Sequence, residues 1–103
     1  MADGKITVLA VCASGVSVSS LLARKIIDSL DPLDLEVRVI HLLPTIVEGF
    51  IAENPVDFIV TTSPIPGEID VPVINGIPLL SGFGEEAVRE DIRQTANKVL
   101  GRE

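Results

Sequence analysis

Four short apolar segments rich in β-branched residues dominate the sequence, at positions 6–11, 36–40, 56–60 and 71–74. Several of them are apolar at consecutive positions, which is the pattern of parallel strands buried on both faces. Amphipathic patterns with helical spacing lie between the first three segments and after the fourth. Because strands that alternate with helices need right-handed crossovers, this order indicates a parallel sheet covered on both sides.

The helical patterns predict three helices. The first runs from about residue 18 to residue 30, the second from about 43 to 53, and the third from about 85 to 100. Pro32 and Pro55 follow the first two, and proline disfavours a helical conformation in the residue before it. Segments 61–70 and 75–84 contain the irregular, Pro- and Gly-rich sequence and are predicted to be loops after the third and fourth strands.

The predicted fold is therefore a three-layer α/β/α domain, Rossmann-like and flavodoxin-like, with a four-stranded parallel sheet in the order 2-1-3-4. With 103 residues, 47% of them hydrophobic, the chain is expected to form a single domain over residues 1–103. In open sheets of this kind, ligands bind at the carboxyl edge where the strand order reverses. That point lies here between the first and third strands.

Composition excludes several classes of function. Eight basic and fifteen acidic residues give a net charge of −7, which argues against binding to nucleic acid or to an anionic membrane surface. No apolar run reaches the ~18–20 residues that a membrane-spanning helix needs, so no insertion into a membrane is expected. A single cysteine forms no internal disulfide, and no set of metal ligands or cofactor motif is evident. We expect a cytoplasmic protein without metal or cofactor.

The single cysteine, Cys12, stands where the first strand ends and a run of small residues begins, CASGVSVSS at positions 12–20. A short turn before a helix exposes backbone N–H groups that bind anions. A thiol at such a turn ionises more readily and can carry a phosphoryl group. The predicted phosphate-binding loop consists of Ala13, Ser14, Gly15, Val16, Ser17 and Val18. The alternative for Ser14 and Ser17 is that they are ordinary turn and N-cap residues.

A second wall of this site is predicted from the third strand, which the segment Thr61-Thr62-Ser63 follows. Its alternative is an ordinary strand-end turn. The alternative for Cys12 is an inert cysteine of the hydrophobic core. His41 is interpreted as a polar residue at the end of the second strand, away from Cys12. The apolar run 77–80 is either core or a docking surface.

The residues around Cys12 resemble a known family. CASGVSVSSLL at positions 12–22 resembles the phosphocysteine loop of IIB components of the bacterial sugar phosphotransferase system (PTS). DVPVINGIPLLSGFG at positions 70–84 is similar to the corresponding stretch of galactitol-type IIB proteins, and Thr61-Thr62 fits the same group. The resemblance extends from about residue 5 to residue 100.

The resemblance implies a phosphoryl relay. A IIA partner phosphorylated on a histidine passes the group to Cys12, and Cys12 passes it to a sugar or sugar alcohol that a membrane IIC partner carries inward. The family's nucleophile corresponds to Cys12, and its phosphate loop to residues 13–18. The chain would then be a phosphotransferase subunit in a sugar transport system.

Two alternatives of other classes remain. Low-molecular-weight tyrosine phosphatases and related arsenate reductases also place a cysteine loop after a first strand, but they need an arginine six positions after the cysteine. Val18 occupies that position here, and residues 12–23 contain no charged side chain. The other alternative is a non-catalytic regulatory or interaction module with the same fold.

Overall fold

The computed structural model describes residues 4–13 and 16–101, with only the backbone at residues 16 and 17. In this part of the chain, the strands are β1 (Lys5–Val11), β2 (Glu36–Leu42), β3 (Phe58–Thr61) and β4 (Val73–Asn75). The α-helices are α1 (Val16–Leu30), α2 (Val47–Glu53), α3 (Ile77–Ser81) and α4 (Glu85–Leu100). Two single-turn 3-10 helices, Asp31–Leu33 and Pro44–Ile46, precede β2 and α2. No helix of the described residues is long and apolar enough to cross a membrane.

All strand pairs are parallel and the order is β2-β1-β3-β4, which confirms the predicted topology. The pairing of β1 with β3 begins at Val8 opposite Phe58. Just before this pair, two hydrogen bonds join Thr7 and Asp57. The Asp57 N–H donates to the Thr7 carbonyl oxygen at 2.9 Å, and the Thr7 N–H donates to Asp57 Oδ2 at 2.7 Å. The Asp57 carboxylate thus accepts the hydrogen bond from the backbone amide at the start of the β1–β3 ladder.

The side chains of β1 alternate between two hydrophobic clusters, one on each face of the sheet. One cluster contains Ile6, Val8 and Ala10 of β1, together with residues of α1, α3 and α4. The other contains Leu9 and Val11, which pack with residues of α2 and of the 62–72 connection. Helices therefore cover both faces, and the predicted three layers are observed.

A polar network joins α1 to α4 beside the first cluster. Glu85 accepts hydrogen bonds from Lys25 Nζ at 3.0 Å and from Arg89 Nη2 at 2.8 Å. Arg89 Nη1 also donates to Ser29 Oγ at 3.2 Å, and Arg93 Nη1 donates to the Ser29 carbonyl oxygen at 3.3 Å. The hydrogen bond from Lys25, followed by that from Arg89, lowers the pKa of Glu85 below its ordinary value.

Helix α3 corrects the prediction of a loop over residues 75–84. Asn75 Oδ1 accepts the Ile77 N–H at 3.0 Å, Pro78 suits the first turn, and Gly82 ends the helix at a φ of +86°. Five residues give little more than one turn, too few for a periodic apolar pattern. Leu79 of this run is buried core, whereas Ile77 is 49% exposed.

The bounds of other elements also differ from those predicted. Helix α1 begins at Val16, two residues earlier than expected, and the second predicted helix begins with a 3-10 turn. Strands β3 and β4 each begin two residues later than predicted. Val56 and Val71 lie outside the strands but still pack against the second cluster, which explains why they are apolar.

We expect Gly76→Ala to lower the free energy of unfolding by about 1–3 kcal/mol through overpacking. Gly76 is buried after β4, and a Cβ there would lie 2.7 Å from Val60 Cγ1 and 3.0 Å from Leu22 Cδ1. Gly49→Ala, in α2, is the matched control, because its Cβ would meet nothing within 4 Å. That change is expected to stabilise by about 0.5–1 kcal/mol, as alanine does in a helix. Urea unfolding measures both, and an unchanged Gly76→Ala midpoint would contradict the close packing.

Glu85 is expected to make the protein less stable in acid. Since its folded-state pKa is lowered, its stabilisation is complete above its ordinary pKa of 4.5 and is lost as the pH falls through the folded-state value. Glu85→Gln removes this contribution, so the variant should be less stable than the wild type at neutral pH and approach it in acid. Urea unfolding at a series of pH values tests this, with Glu53→Gln at an exposed position of α2 as the control. A stability difference independent of pH would refute it.

Candidate functional site

Cys12 lies directly after β1, at the carboxyl edge of the sheet and close to the start of α1. Its N–H donates to the Leu42 carbonyl oxygen of β2 over a long 3.4 Å. The residue is only 3% exposed, whereas Ala13 beside it is exposed. The burial is a property that Cys12 shares with inert core cysteines, so its chemistry has to be argued from its surroundings.

The segment 61–63 lies against the residue that follows Cys12. The Ala13 N–H donates to Ser63 Oγ at 3.3 Å, and the Thr62 N–H donates to the Val11 carbonyl oxygen at 3.1 Å. The predicted contact across the point where the strand order reverses is thus present. Whether Thr61, Thr62 and Ser63 form a wall of a phosphate site stays a prediction.

Thr61 holds this segment in a tight turn. Its Oγ1 donates to the Ser63 carbonyl oxygen at 2.7 Å and accepts the Ser63 N–H at 3.1 Å. The Thr61 carbonyl oxygen accepts the Gly76 N–H at 2.7 Å, which ties the turn to the end of β4. The hydroxyl of a buried threonine thereby determines where Ser63 meets Ala13.

A pocket of about 380 Å³ opens beside this turn, at the carboxyl ends of β3 and β4. Its lining is Thr61, Thr62, Ser63, Pro64, Val73, Asn75 and Ile77. Ser63 belongs both to this pocket and to the contact with Ala13. The pocket therefore borders the residue that accepts the Ala13 N–H.

The remaining predicted site residues lie at the start of α1. Val16, Ser17 and Val18 belong to its first turn, and the first N–H groups of a helix have no acceptor within the helix. No acidic residue is present in that turn, unlike the first turn of α4, which has Glu85 and Glu86. Its positive end therefore lacks a carboxylate of its own. Ser14 and Gly15, and the side chains of residues 16 and 17, lie outside the described part.

His41 contacts α1, the helix that starts after the Cys12 segment. Its Nδ1 lies within hydrogen-bonding distance, 3.1 Å, of Ser19 Oγ in α1. His41 lies near the end of the edge strand β2, as predicted, and its contact with α1 was not predicted. Strand β2 extends to Leu42, two residues beyond its predicted end at residue 40, so His41 belongs to the strand.

Among the residues that the structure describes, no group of three or more His, Cys, Asp or Glu side chains could hold a metal ion. No protein-family model matches the chain, and no curated protein sequence matches it. The site is therefore interpreted from its own residues.

We expect Thr61→Val to destabilise the protein by about 1–3 kcal/mol, because it leaves both polar backbone groups of Ser63 without the Thr61 hydroxyl. Thr61→Ser keeps the hydroxyl and should lose less stability. The Ala13 amide should also shift in the ¹H–¹⁵N spectrum of the valine variant, since the Ser63 acceptor moves. Equal stability of the valine and serine variants would contradict the role given to the hydroxyl.

Proposed function

We propose that the protein is the IIB phosphoryl-carrier subunit of a bacterial phosphoenolpyruvate-dependent sugar phosphotransferase system, of the galactitol type. Cys12 would accept a phosphoryl group from a phosphohistidine of a IIA protein. It would then pass the group to a sugar or sugar alcohol bound by a membrane IIC partner. Under this proposal the protein acts in the cytoplasm. The observation that carries the proposal is the position of Cys12 between β1 and the uncharged first turn of α1.

The two transfers are simple displacements at phosphorus. In the first, the Cys12 thiolate attacks, the P–N bond to the donor histidine breaks, and the imidazole nitrogen leaves with the electron pair. In the second, a hydroxyl oxygen of the sugar attacks the phosphorus, the P–S bond breaks, and Cys12 leaves as a thiolate. The hydroxyl proton goes to a base or to solvent, and the cysteine is restored without a change in oxidation state.

The charge distribution around Cys12 suits a carrier. A thiophosphate adjacent to a helix N-terminus is stabilised by the N–H groups of the first turn and by the helix dipole. Residues 12–23 contain no lysine or arginine, whereas the phosphatase loop needs an arginine to stabilise the charge of its transition state. Such a site favours holding the group over hydrolysing it.

The exposed residue of the Cys12-Ala13 segment is Ala13, because Cys12 itself is only 3% exposed. Leu42 of β2 and Ser63 of the 61–63 turn contact the Cys12-Ala13 segment from the two neighbouring strands. Ala13 is exposed and the pocket beside Ser63 is open. Both the donor protein and the permease would therefore approach Cys12 along the carboxyl edge of the sheet.

The direct test is phosphorylation followed by intact mass. The protein is incubated with phosphoenolpyruvate, enzyme I, HPr and a galactitol-type IIA protein. We expect a gain of one phosphoryl group in the wild type and none in Cys12→Ser. Ser20→Ala, an exposed position of α1 outside the predicted loop, is the matched control and should be labelled like the wild type.

The alternatives predict different results in this assay. A non-catalytic module would not be labelled, and no label with several IIA proteins would refute the proposal. A phosphatase would turn over p-nitrophenyl phosphate and retain little label. A label that persists in Cys12→Ser would place the acceptor on another residue.

A further inference from the structure

Two consecutive residues of β2 hold the two ends of the segment that carries the predicted phosphate loop. The Leu42 carbonyl oxygen accepts the Cys12 N–H before the loop, and His41 Nδ1 contacts Ser19 Oγ after it. Cys12 and Ser19 flank residues 13–18. The end of one edge strand thus contacts both the reactive residue and the helix turn that would bind its phosphoryl group.

The sheet register places His41 for this contact. His41 is paired with Ala10 of β1, and paired residues of parallel strands point to the same face. Ala10 belongs to the cluster under α1, so His41 lies on the α1 face, at the outer edge of the sheet. His41 is exposed while Ser19 is only 6% exposed, so the imidazole joins the buried side of the helix to the edge strand.

This contact connects the first turn of α1 to the edge strand. A serine hydroxyl rotates freely until its bonds select one orientation, and a bond to β2 connects the N-terminal part of the helix to the strand that also binds Cys12. Stabilisation of charge by N–H groups depends on their being held in place before the reaction. A shift of α1 relative to Cys12 would weaken this stabilisation of charge even if the helix stayed folded.

We propose that His41 is a positioning residue for phosphoryl transfer, acting through Ser19 to hold the start of α1 in place relative to Cys12. This rests on the proposed function, in which Cys12 is the acceptor. His41 itself does not touch the phosphoryl group in this proposal. It differs from a partner-binding residue, whose loss would weaken the association with IIA.

The test measures the rate of Cys12 phosphorylation against the concentration of the phosphorylated galactitol-type IIA protein. We expect His41→Leu to lower kcat on the order of 10- to 100-fold, the size of effect that a small misplacement produces, with KM unchanged. His41→Asn, which keeps a polar atom near Nδ1, should restore most of kcat. Ser19→Ala should lose at least as much kcat, and adding His41→Leu to it should cause no further loss.

Arg38→Leu is the matched control, because Arg38 is an exposed polar residue of β2 paired with Thr7, on the other face. It should keep wild-type kcat and KM, and Ser19→Ala serves as a second test if His41→Leu does not fold. A wild-type kcat in His41→Leu, a change in KM alone, or a failure of His41→Asn to restore kcat would overturn the positioning role. An unlabelled wild type would overturn the proposed function itself, and this inference with it.

Discussion

The structure depends on β1 being a central strand that is buried on both faces. Its backbone pairs with β2 on one side and β3 on the other, and its side chains enter two separate clusters. Because every side chain of its inner part meets a core, a polar substitution there would disturb one layer or the other. The same central position brings the end of β1, and therefore Cys12, between the ends of two neighbouring strands.

The sequence was sufficient for the parts of the fold that follow from burial of long segments. The apolar run of β1 and the helical spacing of α1 and α4 have one interpretation each, and their order leaves few topologies. The short helix α3 was not predictable in this way, because it depends on Pro78, on Asn75, whose side chain accepts the Ile77 N–H, and on the left-handed Gly82 instead of on a periodic pattern. Val56 and Val71 show the opposite case, apolar residues that are buried outside the strands.

The candidate site was predictable to a similar extent. The strand order brings the 61–63 segment to the Cys12 segment, and the structure shows Ser63 bonded to Ala13. The contact of His41 with Ser19 depends on how far β2 extends and how α1 lies on the sheet, which local sequence does not determine. The roles of residues 13–18 follow from a resemblance and from general chemistry, and phosphorylation is the measurement that decides them.

The carboxylate at the start of the β1–β3 ladder has a consequence at the opposite edge of the sheet. Cys12 is five positions after Thr7 and Thr62 is five positions after Asp57, so the two hydrogen bonds between Thr7 and Asp57 determine which residues meet at the far end of the strands. A slip of one residue would reverse the faces of β3 and bring Thr62 or Pro64 to the place of Ser63. Asp57, far from Cys12, thereby fixes the register that brings Ser63 to the Cys12 segment.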